Sequence, residues 1–196
     1  MESLTNTAIQ PKQPSPGARL EETRLEQIYV EHVSMVWRGL RRLGVPEANI
    51  EDAVQDVFLV AHRRRAEFEG RSSLKTWIYG IVIRVAKDHR RAEVRQARRV
   101  ERLALLPSLS AACAQTPIEE AERREANHVL HAILAEMDED HREVLVLVEL
   151  EDLSVRDAAA VLHLHLRACQ RRLRAAYAAF DKRLARYLQP SGRQTL

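Results

Sequence analysis

The stretch from Ser73 to Arg91, SLKTWIYGIVIRVAKDHRR, holds residues whose types and spacing suit polyanion binding rather than bond-making. At about 100° per residue on a helix, Trp77, Gly80, Arg84, Lys87 and Arg91 fall on one stripe. Leu74, Ile78, Ile81, Val82 and Val85 form an apolar stripe about a third of a turn away. A helix with one stripe facing a core and a Trp-headed basic stripe facing out can lie against nucleic acid. A surface helix with solvated arginines has the same look, so the flanking segments decide.

Upstream, Ile50, Val54, Val57, Phe58 and Ala61 keep helical spacing, with Asn49 as a plausible cap. The opposite side offers Glu51, Asp52, Gln55 and Asp56, then turns basic at His62, Arg63, Arg64 and Arg65, an order that suits the helix dipole. Three carboxylates within six residues raise the question of a metal, but no His stands at i+3 or i+4 from any of them, so no metal site is expected. Downstream, Ser154 to Asp157 reads as a capping box that opens a short Ala-rich helix. A break at Leu162 to His165 follows, then a long helix to about Tyr187. Its buried stripe is expected at Leu166, Cys169, Leu173, Ala176, Tyr177, Phe180 and Leu184, with Arg167, Gln170, Arg171 and Arg174 on the other side. That is a helix-turn-helix layout, and Arg and Gln suit base edges and phosphates. An αα-hairpin that only packs is the plain alternative.

The elements that must position these residues are all helices. Of 196 residues, 45% are hydrophobic and 30% charged, aromatics are 5% and Gly is scarce at 6, so a packed helical chain is expected and a sheet is not. A first helix is expected from about Glu22 to Leu43, stopped by Gly44, with Pro46 beyond it. Ser72 or Ser73 caps the central helix. Val129, Leu130, Ile133, Leu134 and Met137 mark another helix, and Val144, Leu145, Val148 and Leu150 the next.

The net charge of +3 is modest, but its distribution is not even: Arg84 to Arg102 carries eight Lys/Arg against three Asp/Glu, and Glu119 to Asp152 twelve Asp/Glu against three Arg. Arg167 to Arg183 is basic again, so two contact zones for a polyanion flank an acidic block. Cys113 and Cys169 lack metal-ligand spacing and read as reduced thiols. The first twenty residues are polar and Pro-rich, and no apolar run is long enough to cross a bilayer, so neither a signal peptide nor membrane insertion is expected. Eight histidines are present, but none stands beside a nucleophile or carboxylate pair, and His128 and His131 find no third ligand. No enzyme, cofactor or small-molecule substrate is expected.

With both halves in view the sequence resembles the extracytoplasmic-function (ECF) class of bacterial RNA polymerase sigma factors. IEDAVQDVFL, residues 50–59, looks like that family's core-binding signature. Phe68, then LKTWIY at 74–79 and DHRR at 88–91, looks like its −10 promoter segment. MDEDHREVL at 137–145 and LSVRDAAAVL at 153–162 resemble its −35-binding module. The resemblance implies an all-α fold of two small helical domains joined by a flexible linker: a tail over 1–21, a sigma2-like domain over 22–92, a linker over 93–124, a sigma4-like helix-turn-helix domain over 125–189 and a tail over 190–196.

It further implies a non-catalytic protein of the bacterial cytoplasm whose partners are core RNA polymerase, promoter DNA and an anti-sigma factor. Asp52, Gln55, Asp56 and Phe58 would dock on the polymerase. Phe68, Arg71, Ser72, Ser73, Lys75, Trp77, Arg84, Lys87, Arg90 and Arg91 would serve the −10 element, with the Phe68–Ser73 loop capturing a flipped base and Trp77 better suited to packing than to stacking. Arg167, Gln170, Arg171 and Arg174 would serve the −35 element. The family often has Asn where Arg84 stands, so the base preference at −10 is expected to differ. It has a turn glycine where His163 stands and Pro-x-Gly-Thr over 165–168, so the −35 sequence is expected to be unusual or its binding weak. The alternatives are a stand-alone helix-turn-helix regulator, which leaves the acidic Asp52/Gln55/Asp56 face without a purpose, and a helical protein–protein adaptor.

Overall fold

The computed structural model describes residues 16–101 and 118–188. It is helical throughout, with no strand among the described residues. Helix α1 spans Pro16–Arg42, α2 Ile50–Arg63 and α3 Leu74–Glu101. After them come α4 (Ile118–Glu136), α5 (Glu139–Leu145), α6 (Val155–Val161) and α7 (Leu166–Leu188). Single 3₁₀ turns at Glu47–Asn49 and Arg65–Glu67 bracket α2. The expected tail segment 16–21 is helical instead, since α1 begins at Pro16, whose fixed φ suits a first helical turn. Helix α3 likewise runs ten residues past Arg91 into the expected linker; the Leu103–Pro117 segment and Cys113 lie outside the described residues.

Helices α1, α2 and α3 pack on one another around Val36, Leu40, Val57, Ile78 and Val82, each fully buried. Gly39 lets α1 approach α3: an added Cβ would stand 3.0 Å from the Tyr79 hydroxyl. Of the apolar stripe expected on α3, Ile78, Ile81, Val82 and Val85 are core and Leu74 is partly buried against it, but Thr76, Tyr79, Ile83 and Ala86 are buried as well. Tyr79 lies against Gly39 and Met35 of α1, and α3 also meets α6. Burial on two sides joins both halves of the chain into one apolar cluster.

In the second half, α7 packs against α4, α5 and α6. Asp138 caps α5 by accepting from the Asp140 N–H at 3.0 Å, and Ser154 caps α6 by accepting from the Asp157 N–H at 3.1 Å. Ser73, not Ser72, caps α3, its Oγ accepting from the Thr76 N–H at 3.0 Å. The expected cap at Asn49 is not made; its side-chain amide instead donates to Glu93 on α3 at 3.2 Å. On α7, Leu166 and Tyr177 are exposed rather than buried, and the Tyr177 hydroxyl donates to Glu149. Cys169 is fully buried, and burial pushes its thiol above the ordinary range.

Between α5 and α6 the helix widens into a π turn over Val146–Leu150, closed by the Leu153 N–H on the Leu147 carbonyl at 2.9 Å, with Asp152 left-handed at φ 54°. The helix-turn-helix turn is left-handed at His163, φ 53°, where a side chain is strained.

Two stability outcomes follow. Ile78→Ala should lower the unfolding free energy in urea by about 2–5 kcal/mol, the range for emptying a buried aliphatic site. His163→Gly should raise it by about 0.5–1 kcal/mol, because relief of αL strain exceeds the added freedom of the unfolded chain.

Candidate nucleic-acid interface

The proposed polymerase-docking residues lie on α2 as its periodicity requires. Glu51, Asp52, Gln55 and Asp56 are exposed along one side, while Phe58 faces inward and packs on Tyr29, ring centroids 4.7 Å apart and planes tilted by 57°. Phe58 therefore supports this face from beneath rather than presenting itself. Asp56 is not free: its Oδ2 lies 2.9 Å from Nε2 of His89 on α3. This cross-helix contact went unread in the sequence because the two residues are 33 apart, and only the α2–α3 packing joins them.

The loop from Phe68 to Ser73 is largely exposed and turns at Gly70, φ +69°, where an added Cβ would meet nothing but where φ favours glycine. Phe68 packs on Trp77 with ring centroids 5.5 Å apart, so the aromatic pair anchors the loop to the first turn of α3. Trp77 is half-buried, which agrees with packing before stacking. Arg71 is exposed and pairs with Glu69, while Ser72 donates to the Ser73 carbonyl at a long 3.4 Å.

The basic residues of α3 divide into two groups. Arg84 and Arg91 are exposed, as a phosphate-binding stripe needs. Lys75, Lys87 and Arg90 are instead engaged by the second half of the chain. Lys87 Nζ lies 3.0 Å from Glu143 Oε2 and 3.8 Å from Glu139 Oε1. Arg90 pairs with Glu139 at 2.8 Å and Glu143 at 3.4 Å, and also donates to the Leu43 carbonyl. Lys75 donates to the Glu151 carbonyl. Arg42, at the end of α1, donates to Glu151 Oε1 at 2.6 Å and the Leu150 carbonyl at 2.9 Å.

Glu143 and Glu151 are 1% and 3% exposed, so two buried carboxylates of the second half are matched by cations of the first. Burial outweighs those cations at Glu143 and holds its carboxyl above the ordinary range. At the half-exposed Glu139 burial pushes the same way, but Arg90 and Lys87 win and its carboxyl is lowered. Tyr79 is fully buried beside this junction; burial, then the Glu151 charge, push its phenol well above its ordinary range. These glutamates were not singled out in the sequence, where they sat in the acidic block between the two basic zones. The available signal was the apolar company of Glu143, with Val144, Leu145, Val146 and Leu147 immediately following.

On α7, Arg167, Gln170, Arg171 and Arg174 are all exposed, over the N-terminal turns that follow the His163 turn. Arg172, between them, turns back to Asp140 at 3.0 Å and ties α7 to the start of α5. The four side chains share one open face, the geometry a recognition helix requires. Among the described residues no group of three or more His, Cys, Asp or Glu could hold a metal ion, and no helix is long and apolar enough to cross a membrane.

Comparison with known proteins agrees with this two-part layout. Residues 28–96 match the Sigma-70 region 2 family and residues 128–180 the Sigma-70 region 4 family. The chain is similar to RNA polymerase sigma factor CnrH of Cupriavidus metallidurans, 30% identical over 152 residues that cover 75% of this chain and 79% of the relative. It is also similar to the ECF RNA polymerase sigma-E factor of Escherichia coli, 26% identical over 71% of this chain and 76% of that one. In fold it resembles CnrH in its complex with the cytosolic domain of CnrY, with a TM-score of 0.63 and 23% identity over 86% of this chain and 94% of that chain. The sigma factor RpoE of Bartonella quintana, solved with the anti-sigma factor NepR, gives a TM-score of 0.62 at 20% identity over 83% of this chain and 97% of that chain. The chain belongs to the sigma-70 family of RNA polymerase sigma factors, in its ECF class.

Proposed function

We propose that this sigma factor docks on core RNA polymerase through the exposed Asp52/Gln55/Asp56 face of α2 and reads promoter DNA with α3 and α7. The −10 side takes Arg84 and Arg91 as phosphate contacts, joined by Lys75, Lys87 and Arg90 once these are free. The Phe68–Ser73 loop, with Phe68 held on Trp77, captures a base leaving the duplex. Unstacking a base costs a few kcal/mol, which a preformed pocket offsets. On the −35 side α7 enters the major groove with Arg167, Gln170, Arg171 and Arg174. Catalysis belongs to the polymerase, and the chain acts where the polymerase is, in the bacterial cytoplasm. An anti-sigma factor would compete for the same faces.

The single observation that carries this reading is an exposed acidic face on α2 and an exposed Arg/Gln face on α7, in one chain and in the family's order. A stand-alone helix-turn-helix regulator leaves the acidic face without a purpose, and a protein adaptor would turn both faces to protein partners and leave the Arg/Gln face without DNA. The residue ranges 22–92 and 125–189 are our proposed bounds for the two functional modules.

Run-off transcription with core polymerase on a panel of genomic upstream fragments tests the reading. Specific transcripts should appear with the wild-type protein and disappear with Asp52→Lys/Asp56→Lys, which should also lose co-purification with core. Wild-type protein that yields no transcript and does not bind core would refute it. Separately, Arg171→Glu/Arg174→Glu should weaken binding of the holoenzyme to promoter duplex at least tenfold and flatten its salt dependence, because about two phosphate neutralisations are lost.

A further inference from the structure

The turn that leads into α7 carries three leucines in alternation, Leu162, Leu164 and Leu166, separated by His163 and His165. Leu162 and Leu164 are partly buried against the core, whereas Leu166 is 42% exposed and is not part of the apolar cluster. A lone exposed leucine needs no explanation in itself. This one, however, is the first residue of the helix whose open face carries Arg167, Gln170, Arg171 and Arg174. We infer, on the reading of α7 as the −35 helix, that Leu166 determines specificity there by packing on the 5-methyl group of a thymine.

The local backbone fixes where this side chain stands. Helix α6 ends in a Schellman pair around the left-handed His163: the Leu164 N–H donates to the Ala159 carbonyl at 2.8 Å, and the His163 N–H to the Ala160 carbonyl at 3.2 Å. Helix α7 starts at once, with the His165 carbonyl accepting from the Cys169 N–H at 3.0 Å. Cys169, Leu173 and Ala176 are buried and set the rotation of α7 about its own axis. At about 100° per residue, Leu166 then stands about 40° from Gln170 and about 100° from Arg167, at the edge of the polar face. Side chains on a helix lean toward its N-terminus, so Leu166 and Gln170 point to the end that enters a major groove.

Chemistry selects the partner. Guanine, cytosine and adenine show donors and acceptors in the major groove, and thymine alone adds a methyl group. An isobutyl side chain neither donates nor accepts, so a polar base edge placed against it loses water and gains nothing in return. Against thymine it buries a methyl group instead. Gln170 and Arg167, on either side, supply the polar readout that Leu166 lacks.

The test uses the full chain assembled with core polymerase, on a promoter found by run-off transcription. Each −35 thymine, on either strand, is replaced singly by deoxyuridine, which removes the 5-methyl group and keeps the base pair. Binding to these duplexes is read by competition for wild type, Leu166→Ala and Arg174→Ala. With wild type, deoxyuridine at one position should weaken binding about fourfold, the factor for one buried methyl group. Leu166→Ala should bind the unmodified promoter more weakly and show no loss at that position, while Arg174→Ala should bind more weakly and keep the loss. Leu166 is exposed on a helix and alanine is a good helix former, so the variant keeps the fold. The wild-type deoxyuridine scan needs no variant at all. A scan with no sensitive thymine, Leu166→Ala that binds as wild type, or a loss that persists in Leu166→Ala or vanishes in Arg174→Ala would overturn the inference. Wild-type protein that yields no transcript would overturn the sigma-factor reading and this inference with it, whereas transcripts without a Leu166-dependent thymine sink the inference alone.

Discussion

Glu143 sets the constraint on which the arrangement of this chain depends. A carboxylate with 1% exposure stays charged only beside cations, and removing one partner of such a buried pair costs about 3–5 kcal/mol. The cations come from the other half of the chain, Lys87 and Arg90 on α3. The second half therefore carries a buried acid whose compensation lies outside it. That requirement sets the face that α5 presents and the helix it must meet.

Arg90 shows how much one guanidinium can organise. It contacts Glu139 and Glu143 on α5 and the Leu43 carbonyl at the C-terminal end of α1. Carbonyls at a helix end have no partner within the helix, and the dipole there favours a cation. Arg90 and Arg142, from opposite halves, both donate to Leu43, and Gly44 next to it leaves the space. The end of α1 is thus closed by residues that approach it from two directions.

Packing draws on part of the basic stripe of α3. Arg84 and Arg91 are exposed and free to meet phosphate, whereas Lys75, Lys87 and Arg90 on the same helix serve the internal junction. The apolar surface of α3 is broad as well: Tyr79, Ile83 and Ala86 are buried along with Ile78 and Val82, and the helix meets α1, α2 and α6. A helix buried on two sides and basic on part of its circumference can hold the chain together or present charge to DNA, according to what covers it.

Much of this was legible in the amino-acid sequence. Helical periodicity placed the core stripes of α2 and α3, glycine chemistry the stop at Gly44, the Ser154/Asp157 pair the start of α6, and residue type the open face of α7. All of these are local, set by spacing and by backbone preferences over a few residues. The misreadings were also physical. The cap at Asn49 failed because Glu93 offered its side chain a partner across the α2–α3 packing, and Leu166 and Tyr177 were assigned to a stripe from which they are exposed. The sequence by itself determined most of the helices, the family and where the basic side chains fall along them. Only the tertiary structure decided which of those residues are free, because charge pairing between Glu143 and Lys87, 56 positions apart, depends on distance in space and leaves no periodic trace in the chain.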